Sequence, residues 1–127
     1  MSFERIYSGA PWEAKVGCCR AVRAGSHIYI TGTAPIEDSG KTYAPGDPYL
    51  QAKRCFELIL ASLDKFGAGA QNVVRTRMYV TDIAHWEEFG RAHHETFSDF
   101  PPATTMVEVS ALIDPGMLIE VEVDAVV

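Results

Sequence analysis

Leu118-Ile119-Glu120-Val121-Glu122-Val123-Asp124-Ala125-Val126-Val127 alternates with unusual regularity: Glu120, Glu122 and Asp124 share one side, and Ile119, Val121, Val123 and Val127 the other. Successive strand residues point to opposite faces, so this is a strand with one apolar and one charged face. The apolar face needs a cover, and two helical patterns supply it. The first opens at Asp47 as N-cap with Pro48 in the first helical position. Ala52, Cys55, Phe56, Ile59, Leu60, Leu63 and Phe66 then recur at helical spacing up to the stop at Gly67. The second is capped at Thr81-Asp82 and carries Trp86, Phe89 or Gly90, His93 and Phe97 about one turn apart.

Four further strands complete the order. Cys19–Ala24 and His27–Thr33 flank Gly25-Ser26, a tight-turn signal between two apolar runs. Val73–Val80 follows the first helix, with Val74, Thr76, Met78 and Val80 on one face and Val73, Arg75, Arg77 and Tyr79 on the other. Thr104–Val109 comes after the break at Phe100-Pro101-Pro102, and residues 34–47 read as an exposed loop. The order β-β-α-β-α-β-β predicts an α+β fold, a mixed sheet with both helices on one face. The other face is expected to carry Arg75, Arg77 and Tyr79 with Thr104, Met106, Glu108, Glu120 and Glu122. Such a face is either solvated or buried against another subunit with its charges paired.

Composition narrows the function classes. The 127 residues suit one domain, 1–127, and 47% apolar with 22% charged residues is ordinary for a globular chain. No apolar run nears the roughly 18 residues that span a bilayer, and Met1-Ser2-Phe3-Glu4-Arg5 is no secretory signal, so a cytoplasmic protein without membrane partners is expected. A net charge of −6 without a basic run argues against nucleic acid as partner. Cys18, Cys19 and Cys55 form no C-x-x-C pair, and His93 and His94 diverge by about 100° on a helix, so neither a disulfide, a metal site nor a cofactor is expected. Cys18 and Cys19 lack a setting that lowers a thiol pKa and read as packed thiols rather than nucleophiles served by His93.

Three stretches carry a family resemblance. Val22–Pro35 resembles a hairpin ending in a "hydrophobic-Ser-Gly-x-x-Pro" signature, and Val73–Asp82 a "VVK-x-x-V-F-L-T-D" strand and cap. Pro102–Val109 with Leu118–Glu122 is similar to "P-A-R-S-x-V-E-V" followed by "I-E-I-E". Together they resemble the RidA (YjgF) family of enamine/imine deaminases. The resemblance implies a chorismate-mutase-like homotrimer with small-molecule clefts between subunits. It also implies an arginine that pairs with the substrate carboxylate and a glutamate that positions the hydrolytic water.

Carried over, the glutamate is Glu120, the expected catalytic residue. Ser-Gly becomes Thr31-Gly32, the usual asparagine of the second helix becomes Gly90, and Cys18-Cys19 replaces an aromatic-serine pair. The arginine is replaced by Thr104, which cannot make a bidentate contact. Cys19, Arg20, Thr31, Gly32, Trp86, His93, Thr104 and Thr105 are the expected ligand-binding residues, with Arg20 a candidate replacement clamp. The leading expectation is hydrolysis or deamination at a C=N or enamine centre. The rivals are a non-catalytic ligand-binding or regulatory trimer, and an endoribonuclease, a label some relatives carry, which the acidic charge disfavours.

Overall fold

In the computed structural model, which describes residues 2–127, the alternating C-terminal segment forms β6 (Ile119–Val126) inside a six-stranded sheet. The other strands are β1 (Phe3–Ile6), β2 (Ala21–Ala24), β3 (His27–Thr33), β4 (Val73–Val80) and β5 (Ala103–Glu108), and the spatial order is β1-β2-β3-β6-β4-β5. All neighbours run antiparallel except β4 and β5, which run parallel. The long helices are α2 (Pro48–Asp64) and α3 (Trp86–Phe97). Asp47 caps α2 by accepting the Leu50 amide at 3.0 Å, with Pro48 at the first position. Ala52, Cys55, Phe56, Ile59 and Leu63 of α2 and Phe89, Ala92 and Phe97 of α3 meet Ile28, Ile30, Met78, Ile119, Val121 and Val123 of the sheet in one core. The mixed α+β architecture with two helices on one face is thus the one the periodicities predict.

Three local features depart from the sequence reading. First, β1 and a short helix, α1 (Pro11–Val16), precede the predicted elements. Neither carried a periodic signal, because α1 buries no residue and β1 is a short edge strand. Pro11 at the start and Gly17 at φ +80 just past the end were the legible cues. Second, the register slips between Val73 and Arg75 against β6, a bulge. Val73 therefore turns into the core and Val74 is exposed, the reverse of the strict alternation predicted.

Third, Thr104, Met106 and Glu108 do not share the charged face. The parallel register sets Thr104 beside Thr76, Met106 beside Met78 and Glu108 beside Val80, so they lie on the helix side. The charged face itself holds Arg77 paired with Asp124 at 3.2 Å and with Glu122 at 3.7 Å. Tyr79 donates to Glu122 at 2.6 Å, and that hydrogen bond raises its pKa.

Gln51 joins the fold to the site. It is fully buried on α2, donates from Nε2 to the Gly116 carbonyl at 2.9 Å and accepts from the Leu118 amide at 2.8 Å. A buried carboxamide can satisfy an acceptor and a donor of a crossing backbone at once. Gln51 therefore fixes the loop that delivers the chain into β6 and Glu120.

Candidate functional site

A second bulge shapes the candidate site. Between Ile30 and Thr33 the β3–β6 register shifts, so Ile30 faces Val123 while Thr33 faces Val121. Both side chains point into the core, and Thr31-Gly32 is the extra segment between them. The Glu120 carboxylate lies directly over Gly32, where any Cβ would overlap it. A side chain at this position would displace the carboxylate, so glycine here serves close approach, not a backbone angle.

Arg20, just before β2, holds the bulge. Its Nη2 donates to the Thr31 carbonyl at 3.0 Å, to Thr33 Oγ1, and more weakly to the Gly32 carbonyl at 3.4 Å. Thr33 Oγ1 in turn donates to Thr31 O at 2.8 Å. Arg20 Nε is buried without a partner. Burial lowers the Arg20 pKa, and Glu13, Cys55 and Glu120 pull it back. Burial likewise raises that of Glu120; Arg20 opposes the rise and Glu122 adds to it. Cys55 beneath them is fully buried, which pushes its thiol up and keeps it protonated.

A cleft of about 810 Å³ opens beside this group on the charged face, lined by Tyr7, Glu13, Cys18, Cys19, Tyr29 and Thr31 among others. Glu13 is occupied there, accepting from the Ser8 and Gly9 amides at 3.0 to 3.1 Å and from Ser8 Oγ at 2.7 Å. Cys19 is half-buried and its Sγ lies 3.5 Å from the Ala21 carbonyl.

The remaining predicted residues stand elsewhere. Thr104 Oγ1 lies 2.9 Å from Thr76 Oγ1 and 3.3 Å from His93 Nε2, and Thr76 Oγ1 lies 2.8 Å from His93 Nε2. β4 separates β5 from β6 and Thr104 is level with Val123, so Thr104 and Glu120 are two strand spacings across and three residues along the sheet of one chain, roughly 14 Å apart. Thr105 is exposed beside Arg77, and Trp86 is exposed at the first position of α3. The structure therefore brings Arg20, Cys19, Thr31, Gly32 and Glu120 together around the bulge, and His93 with Thr104 in a second group. Thr76, which links that second group, was read from sequence only as a core-facing strand residue. A hydroxyl amid Met78 and Val80 on a buried face was the available signal. Among the described residues no cluster of metal-ligating side chains occurs, and no helix is long and apolar enough to cross a membrane.

Comparison with known proteins places this geometry. The family model described as "Endoribonuclease L-PSP" matches residues 10–127. An uncharacterised protein of Streptomyces coelicolor, SCO2049, is 38% identical over 95% of the chain and 90% of its own length. A RutC family protein of Pyrococcus abyssi is 33% identical over 81% of the chain and 80% of its own length. The crystal structure of Rv2704 from Mycobacterium tuberculosis, a member of the YjgF/YER057c/UK114 family, superposes with a TM-score of 0.90 at 41% identity, covering 99% of this chain and 100% of that one. The Rid family protein YyfA of Yersinia pestis superposes at 0.86 with 26% identity, covering 99% of this chain and 100% of that one. With the family model covering nearly its whole length, the chain belongs to the Endoribonuclease L-PSP family, which is the RidA/YjgF family of the sequence resemblance.

Proposed function

We propose that the protein hydrolyses a small imine or enamine, with Glu120 orienting and deprotonating the water. The observation that carries this reading is the seating of the half-buried Glu120 carboxylate over Gly32, at the β3 bulge and next to the cleft that Thr31 and Glu122 line. Burial raises its proton affinity, as a general base requires. Water adds to the C=N carbon of the protonated imine while Glu120 takes one water proton, giving a neutral carbinolamine. Glu120 then returns that proton to the nitrogen, the C–N bond breaks with loss of ammonia, and the hydroxyl proton passes to the Glu120 carboxylate and on to solvent as the carbonyl forms. The Arg20 Nη2 is engaged by two main-chain carbonyls and a threonine, and through it Arg20 rigidifies the bulge. In this reading Cys19 and Thr31 line the cleft with Gly32 next to them in β3, and Trp86, His93, Thr104 and Thr105 reach it from a neighbouring subunit.

A homotrimer supports that arrangement, because Glu120 and Thr104 lie on separate strands of one chain and meet only across an interface. The ion-paired sheet face with exposed Tyr29 and Val107 suits such burial. Sedimentation is expected to give about three times the 14.0 kDa chain mass; a stable monomer would remove the shared cleft. The direct test is ammonia release from imines generated in solution, expected to run faster with the protein than without it. Tight binding with no release would instead establish the ligand-binding trimer, a reading favoured by Thr104 standing where the resemblance implies an arginine. Ribonuclease action fits poorly with a net charge of −6.

A further inference from the structure

The His93–Thr76–Thr104 group has a property that the hydrolase reading leaves unused. Thr76 is fully buried on the helix face of β4, whereas Thr104 is exposed on the edge strand β5. The three polar atoms form a short chain from the interior to the edge, 2.8 Å and then 2.9 Å long. The His93 ring packs edge-on against Phe56 and beside Phe97, with centroids at 5.6 Å and 4.8 Å. Burial in this apolar setting holds its pKa below the ordinary value, so the ring is neutral at pH 7.

One helical turn before His93, Gly90 leaves open space where a side chain would stand. A concavity of about 280 Å³ is the result, bounded by Gly90, His93, Phe97, Pro101 and Pro102, with His94 and Ser98 also on its wall. Thr104 closes onto its rim, because its Oγ1 lies 3.2 Å from the Pro102 carbonyl. Among the described residues no ion pair involves His93 or its two threonines.

From this geometry we infer that the rim formed by Thr104, His93 and Gly90 binds an uncharged polar group of the ligand, a carboxamide, carbonyl or hydroxyl, in preference to a carboxylate. The inference deepens the hydrolase reading by naming its substrate class, and rests on that reading for the chemistry. The reason is the donor and acceptor count. Thr76 and Thr104 have one proton each, and the neutral imidazole can donate or accept at Nε2. With His93 donating, the chain runs His93 to Thr76 to Thr104, and the Thr104 proton goes either to Pro102 O or to a ligand acceptor. With His93 accepting, the two hydroxyl protons point inward and Thr104 offers lone pairs to a ligand donor. The chain thus reads either half of a carboxamide by rotating hydroxyls. A carboxylate entering the same rim loses its water without meeting a lysine or arginine, which is the costly case.

Isobutyramide and isobutyrate, matched in shape and different in charge, test this by titration of the intact protein followed in amide NMR spectra. The amide is expected to shift the Gly90, His93 and Thr104 signals and to bind at least tenfold more tightly than the carboxylate. Thr104→Ser should keep that ratio, Thr104→Val should abolish it, and Thr104→Arg should reverse it. Thr104 is exposed, so these variants retain the fold, and the ratio reports recognition rather than stability. Equal binding of the two probes, a ratio unchanged in Thr104→Val, or no shift at these residues with either probe overturns the inference. Ammonia release plays no part in the titration, so failure of the preference and failure of the hydrolase reading are told apart.

Discussion

Replacing Glu120 by glutamine is expected to lower imine hydrolysis by about 10²- to 10⁴-fold, the usual span for a positioned acid–base group. The amide keeps the shape of the carboxylate over Gly32 and still hydrogen-bonds, but it cannot take a proton from water. The same variant should not weaken the fold. Burial raises the folded-state pKa of Glu120 above the ordinary 4.5, so the native protein holds this proton to higher pH than the unfolded chain does. Stability from this group is therefore complete below the unfolded value and falls as pH rises from there through the folded value. Glutamine carries no such cost. Glu120→Gln should resist denaturant at least as well as wild type at pH 7, with no advantage at pH 3. A variant that is both inactive and less stable at neutral pH would show that Glu120 serves as an ion-pair partner instead.

Gln51→Leu is expected to cost roughly 2–4 kcal/mol of stability, because it orphans two partly buried backbone groups at about 1–3 kcal/mol each. Those groups are the Gly116 carbonyl and the Leu118 amide, and nothing else contacts them in place of the carboxamide. Leucine fits the volume and adds apolar burial, which offsets only part of the loss. The loss is large against the 5–15 kcal/mol that holds a typical domain together. Equilibrium denaturation measures it, and a change under about 1 kcal/mol would mean that water replaces the carboxamide. Because Gln51 fixes the entry to β6, surviving folded protein should also lose activity through misplacement of Glu120.

The fold was legible where one periodicity ran long enough to be unambiguous. β6 declared both of its faces, and α2 declared its cap and its stripe. Register was not legible, because a bulge costs one residue and leaves no mark in the pattern of apolar positions. Val73 and Val74 exchange roles for that reason, and Thr33 turns inward although Thr31 does not. The face of β5 was misread for a related reason. A six-residue strand with Thr104, Thr105, Met106 and Val107 in sequence has no dominant side, and only its parallel pairing with β4 assigns one. That single assignment separates Thr104 from the charged face and joins it to His93.

The site was legible in its residue types more than in its geometry. Glu120 and Gly32 could be matched one by one, but their direct contact depends on the bulge. Arg20 could be named as a candidate clamp, yet its engagement with the Thr31 and Gly32 carbonyls depends on where those carbonyls point. Sequence spacing says nothing about that. Gln51, between Leu50 and Ala52, had no signal beyond being a polar residue beside the apolar stripe of α2.

The pH dependence of kcat/KM for imine hydrolysis, measured for wild type and Glu120→Gln, tests the central claim most directly. A base must be ionised to act, so the wild-type rate should rise through a single ionisation lying above the ordinary carboxylate value of 4.5. In Glu120→Gln that acid limb should vanish, leaving a low rate that is flat across the same range. An acid limb of the same position and height in the variant would contradict the account, because the ionisation that drives the reaction would then belong to another group.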